Sequence, residues 1–229
     1  MSRVILVLGI HRSGTSAVAG VLHHLGVYMG KPNTRTKSEL PPVDGWPTYK
    51  SNPKGQFEDG NFCSINRTLL GPNWRDPVLP VDQRGVGLAE LYASHLEAGH
   101  EIHGLKDPAT CFSWEIWHEV LATEGHDVRV LAVNRVSFAA AIKSVIRREA
   151  MPEPVANHIM SRYWLAHVQA LDYLAKRVPV LKVPFETLLA APEDGVNIIA
   201  EWAFKELEPP SADQIAAAIS HIDPSLNHA

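Results

Sequence analysis

The chain has 229 residues, of which 45% are hydrophobic and 20% charged, with a formal net charge of −4. That apolar content and modest charge exclude an intrinsically disordered chain, and the length suits a single domain with a sizeable core. The slightly acidic balance excludes non-specific binding to nucleic acid or to anionic membranes, so any anion-binding patch must be local.

In chain order, the opening stretch "MSRVILVLGI" is an apolar run broken at Gly9 with no small-residue cleavage site after it. It reads as a buried strand rather than a signal peptide or membrane span. Ala17, Val18, Val21, Leu22 and Leu25 then recur on one helical face. Lys31 to Gln56 holds five prolines and no sustained period, which describes a long excursion of about residues 31–56, either a lid or a poorly ordered loop. Leu88, Leu91, Tyr92 and Leu96 repeat the helical pattern, as do Phe138, Ala141, Ile142, Val145 and Ile146. Three further β-branched runs, "IHGLKDP", "VRVLAVNR" and "VPVLKVP", look like buried strands, and "NIIAEWAF" and "ADQIAAAI" read as short helices covering one side of the sheet. Trp114, Trp117, Tyr163 and Trp164 are expected in the core. Strands alternating with helices predict right-handed βαβ units in a three-layer α/β/α domain with a central parallel sheet.

Two cysteines, Cys63 and Cys111, are too few for a disulfide framework or a cysteine zinc site and read as reduced, cytoplasmic thiols. The adjacent His23 and His24 have no partner at metal-ligand spacing and are expected on a helix surface or in packing, so no metal site is expected.

"GIHRSGTS", Gly9 to Ser16, fits G-x-x-x-x-G-x-[ST] between a strand and a helix. Glycines allow the tight turn, successive N–H groups point inward, and the following helix offers its positive end to an anion. The lysine that a P-loop ATPase places on the β/γ-phosphates is replaced by Thr15, and the cation stands at Arg12 instead. The stretch "HRSGTSAVAGVLHHLG" resembles the 5′-phosphosulfate loop of the sulfotransferase family, whose P-loop NTPase-like fold binds 3′-phosphoadenosine 5′-phosphosulfate (PAPS). The family's Arg/Lys-Ser-Gly-Thr-Ser/Thr core corresponds to Arg12, Ser13, Gly14, Thr15 and Ser16. The resemblance implies that Arg12 stabilises charge on the sulfuryl group and that the residues after it bind the 5′-phosphate, with PAPS as donor and no metal.

The family's second signature, a strand ending in arginine followed by a helix with a serine, holds the 3′-phosphate and corresponds to Arg135 and Ser144. Ser137 is the alternative hydroxyl and also suits a helix N-cap. Sulfuryl transfer needs a general base near the acceptor. Glu58 lies in "NPKGQFEDGNF", which resembles an N-P-x-G-x-F-E-D segment of bacterial family members; His11, inside the loop and titrating near neutrality, is the second candidate. Asp59 suits a helix N-terminus. In "GLKDPAT", also similar to a family block, Lys106 is a candidate to stabilise the transferring group, and Asp107 either orients it, holds Arg12, or fixes a strand-end turn with Pro108. The Arg-Lys-Gly loop of cytosolic members has no counterpart after Pro184.

The expected function is therefore a cytoplasmic sulfotransferase acting on a small-molecule, carbohydrate or peptide acceptor through a hydroxyl or amine. A P-loop small-molecule kinase and a non-catalytic nucleotide-binding protein are the alternatives.

Overall fold

The computed structural model describes residues 2–32, 39–49, 54–73, 75, 77, 82–96 and 99–223. Four strands form one parallel sheet: β1 (Arg3–Leu8), β4 (Ile102–Lys106), β5 (Asp127–Asn134) and β6 (Val180–Pro184), in the order β4-β1-β5-β6. These are the four apolar runs read from the sequence, although β6, read as a buried strand, lies at the sheet edge and buries only Val183. In register, Leu6 stands between Leu105 on β4 and Val130 on β5, and Val133 pairs with Val183. All four strands end on the same edge of the sheet.

Side chains alternate across the pleat, so each inner strand feeds two cores. Ile5, Val7, Leu131 and Val133 pack with α1 (Thr15–His24), α7 (Phe185–Ala190), α8 (Pro192–Ala203) and α9 (Ala212–His221). Val4, Leu6, Leu8, Val128 and Val130 face α2 (Gly60–Leu70), α3 (Gln83–Ser94), α4 (Thr110–Thr123) and α6 (Glu153–Leu174). A third cluster joins Ile10 and Cys111 to α6 and α5 (Phe138–Glu149). The result is the expected three-layer α/β/α arrangement around a parallel sheet. Among the described residues, no helix is long and apolar enough to cross a membrane.

The excursion after α1 contains a hairpin outside the main sheet, β2 (Leu40–Val43) and β3 (Trp46–Thr48), whose Trp46 packs on Phe57. Residues 33–38 and 50–53 of the excursion, with Asn52 and Pro53 of the "NPKGQFED" motif, lie outside the described residues. His23 packs on Phe57 and Trp46 and His24 on His221, the packing role expected of that pair.

Two further expectations are corrected. Leu88 and Leu91 are 43% and 56% exposed, whereas α3 buries Gly85, Ala89 and Ala93. The small residues let α3 approach α2 so closely that a Cβ on Gly85 would sit 2.7 Å from the Leu69 amide nitrogen. Trp164 is 38% exposed on the outer side of α6, beside Phe138, while Trp114, Trp117 and Tyr163 are buried as expected.

On this packing, Leu88→Ser and Leu91→Ser should each change unfolding free energy by under about 0.5 kcal/mol, whereas Ala89→Leu should cost about 1–3 kcal/mol by overpacking, as measured by urea denaturation. Burial also keeps His167 and His221 neutral, pushing their pKa values down to about 4 and about 3. Between those values and the ordinary 6.5 the unfolded chain binds protons that the folded chain refuses, so stability is lost as pH falls through that window. The melting temperature should drop between pH 7 and pH 5, and should drop less in His221→Gln. An equal drop in the variant would assign the acid sensitivity elsewhere.

Candidate active site

The loop that follows β1 lies flush against β5. A Cβ on Gly9 would sit 2.7 Å from the Val133 carbonyl oxygen and 2.6 Å from the Thr15 methyl, so only glycine allows this approach. Arg12 follows in the left-handed region at φ 65, a conformation that costs a non-glycine residue about 1–3 kcal/mol and is retained where the surroundings enforce it. Ser13 folds back, its Oγ donating to the Ile10 carbonyl at 2.8 Å. Gly14, at φ 94 and against the Phe185 ring, opens α1. No side chain caps that helix; the Ala17 amide donates to the Gly14 carbonyl at 3.0 Å, and Thr15 and Ser16 line the cavity in front of it.

The cavity has a volume of about 290 Å³ and collects the strand ends: Arg12 and Gly14 to Ser16 from the β1 loop, Lys106 and Asp107 at the end of β4, Arg135 just after β5 and Phe185 after β6. Seven lysine and arginine side chains line it against four carboxylates. A chain with net charge −4 thus concentrates positive charge here.

Lys106 is buried and donates to Ser16 Oγ at 3.1 Å, to the Gln56 carbonyl at 3.4 Å and to Glu58 Oε1 at 2.5 Å. Glu58 reaches it from the turn before α2. Its neighbour Asp59 is the N-cap of that helix, accepting from the Phe62 amide at 2.7 Å and from the Lys31 amide at 2.8 Å. The helix-terminal reading of Asp59 therefore holds. Asp107 is engaged by Asn66 Nδ2 at 3.1 Å and by the Ala109 amide at 2.9 Å, not by Arg12, so it fixes the strand-end turn. Burial and the Glu58 charge raise its pKa above the usual carboxylate range.

On the other side of the loop, Arg135 Nη1 donates to the Arg12 carbonyl at 3.1 Å, and its Nε lies 3.5 Å from Glu186 Oε1. Ser144 is buried and accepts from Arg12 Nε at 2.8 Å. Ser137 sits away from the cavity as the N-cap of α5, accepting from the Ala140 amide at 3.2 Å. Arg12 itself is crowded by cations: burial, then Arg148, Arg135 and Arg147, lower its pKa to about 10. His11 is buried edge-on against Tyr163, and desolvation together with Arg75, Lys106, Arg148 and Arg12 pushes its pKa down to about 3. It is a neutral imidazole and a weak proton acceptor at pH 7.

The structure thus brings His11, Arg12, Gly14, Thr15, Ser16, Glu58, Lys106 and Arg135 to one cavity, with Ser13 and Ser144 supporting the loop behind it. Sequence reasoning missed Asn66. Its amide donates to Asp107 and to Thr110 Oγ1, and its carbonyl accepts from Ser113 Oγ at 2.6 Å and Trp117 Nε1 at 2.7 Å. A single polar residue inside the apolar stripe Phe62, Ile65, Leu69 was the available signal. The apolar wall of Phe185, Leu189 and Ile222 was also missed.

No protein-family model matches the chain, and no curated protein matches it. The fold is similar to a solved structure, the sulfotransferase domain of the olefin synthase from Synechococcus PCC 7002, with a TM-score of 0.53 and 20% identity over 99% of this chain and 87% of that chain. At that identity the likeness concerns architecture: the chain has a sulfotransferase-like α/β fold.

Proposed function

We propose that the protein transfers a sulfuryl group from PAPS to a hydroxyl or amine acceptor. The observation that carries this reading is Arg12: a cation inside a phosphate-type loop, surrounded by further cations and held by a serine rather than by a carboxylate. Such a group favours an anion, and the uncapped start of α1 supplies amides for the same ligand. The charge distribution fits a donor anionic at both ends. The 5′-phosphosulfate lies along Gly14, Thr15, Ser16 and Lys106, the 3′-phosphate at Arg135 and Ser144, and the adenine against Phe185, Leu189 and Ile222.

In the reaction the acceptor oxygen or nitrogen forms a bond to sulfur while the bond from sulfur to the bridging oxygen breaks, releasing 3′-phosphoadenosine 5′-phosphate. The acceptor proton passes to the Glu58 carboxylate. Glu58 is the base in preference to His11, whose depressed pKa makes it a poor proton acceptor. Arg12 and Lys106 stabilise the charge that develops on the leaving side, preorganised by the Ser144 and Ser16 contacts. Lys106 thereby brings an ammonium to Ser16 from β4, where the loop itself has Thr15 in place of the motif lysine.

The test is thermal stabilisation. At about 100 Kd, 3′-phosphoadenosine 5′-phosphate should raise the melting temperature by roughly 5–10 °C, AMP by less, and Arg135→Ala should remove the difference. Equal responses to the two nucleotides would refute the 3′-phosphate site, and Mg²⁺-dependent ATP turnover would replace this reading with a kinase. With an acceptor in hand, Glu58→Gln should lower the transfer rate about 100-fold or more while nucleotide binding persists.

A further inference from the structure

Among the cations that line the cavity, Arg67 in the last turn of α2, Arg75 in the segment after that helix and Arg148 near the end of α5 are given no role by the donor reading. Resting on that reading, we propose that Arg75 and Arg148 form a subsite for an anionic group of the acceptor, a carboxylate, phosphate or sulfate. The acceptor is then an acid that presents its hydroxyl or amine to Glu58.

Three observations carry this. The first is how the nearby carboxylates are used. Glu58 is held by Lys106, and Asp107 by Asn66 and the Ala109 amide, while Glu149 Oε2 lies 2.8 Å from Arg75 Nη1. Arg148, next to Glu149 on the same helix, makes no hydrogen bond or ion pair among the described residues. The second is position. The Arg75–Glu149 pair ties the segment after α2 to the far end of α5, which brings both arginines to one part of the cavity. The Tyr49 phenol, just past β3, is pushed up by burial and by the Glu58 carboxylate and drawn down by Arg148, so this guanidinium and the proposed base act on one point. The third is the charge around His11, which burial and then Arg75, Lys106, Arg148 and Arg12 keep neutral. Like charges gathered about an uncharged ring repel one another and favour an anion among them, and a guanidinium meets an oxyanion with two parallel N–H bonds. Glu149 already makes a contact of that kind with Arg75, and so competes with an incoming anion for it.

Benzoate, phenyl phosphate and benzyl alcohol share a ring and differ in charge. Calorimetric titration of each into protein saturated with 3′-phosphoadenosine 5′-phosphate reads the subsite while the nucleotide occupies its own cations. At least one of the two anions should bind roughly tenfold or more tightly than the alcohol, the scale of one charge-assisted pair. Benzoate alone would mark a carboxylate acceptor, and phenyl phosphate alone a phosphate or sulfate one. Arg148→Gln should remove most of the preference while changing nucleotide affinity by less than about threefold. Glu149→Gln, which takes away the competing carboxylate, should strengthen anion binding by about threefold, a gain that a damaged fold does not produce. The acidic acceptor is overturned, with the donor reading intact, by any of four results: no preference for the anions, a preference that survives Arg148→Gln, an equal loss of nucleotide affinity in that variant, or no gain in Glu149→Gln. If the unmodified protein does not bind 3′-phosphoadenosine 5′-phosphate, the donor reading falls and this inference with it.

Discussion

The close approach of the Gly9 backbone to the Val133 carbonyl is the constraint on which the rest of the site depends. It seats the loop against β5, and that places the Arg12 carbonyl within reach of Arg135 and the Arg12 side chain within reach of Ser144. From that seat the chain enters α1 through the left-handed Gly14, packed on Phe185. The helix entered by that route has no side-chain cap, and its first residues, Thr15 and Ser16, line the cavity. Loop conformation and cation placement are thus tied to one backbone contact.

Charge is distributed around that contact from both sides of the central strand. Lys106 arrives from β4 and Arg135 from β5, the two neighbours of β1, so the loop lies between a cation on each flank and contributes Arg12 in the middle. Net charge says nothing of this, because most of the 25 acidic side chains of the chain lie elsewhere. What matters is that the four strand ends share one edge, a property of parallel sheets that lets distant segments pool their functional groups.

The fold was legible where composition and geometry agree. Three of the four β-branched apolar runs make buried parallel strands, while β6 is an edge strand that buries only Val183, and the α1 stripe from Val18 to Leu25 is buried as read. The α3 face was misread because counting large apolar residues favours Leu88 and Leu91, while close helix packing selects Gly85, Ala89 and Ala93. Site residues were legible when they ended a strand or sat in the glycine loop. Ser137 and Ser144 could not be told apart by spacing, since a cap and a buried acceptor differ only in what lies opposite them in space. Asn66 was hidden for the same reason: its four partners lie 41 to 51 residues further along the chain.

The chain Glu58–Lys106–Ser16 gives the proposed reaction a direction. Lys106 stands between the carboxylate and the loop hydroxyl, so the group that receives a proton and the group that faces the donor are separated by one ammonium. In an in-line displacement the acceptor attacks opposite the leaving oxygen, and its proton must be released on the attacking side. Glu58 lies at the start of α2, on the β4 side, whereas Arg135 and Ser144 lie on the β5 side. In the proposed reaction the acceptor therefore approaches along the β4 flank while the donor extends toward α5, and the two reactants meet at the loop, with Lys106 between them.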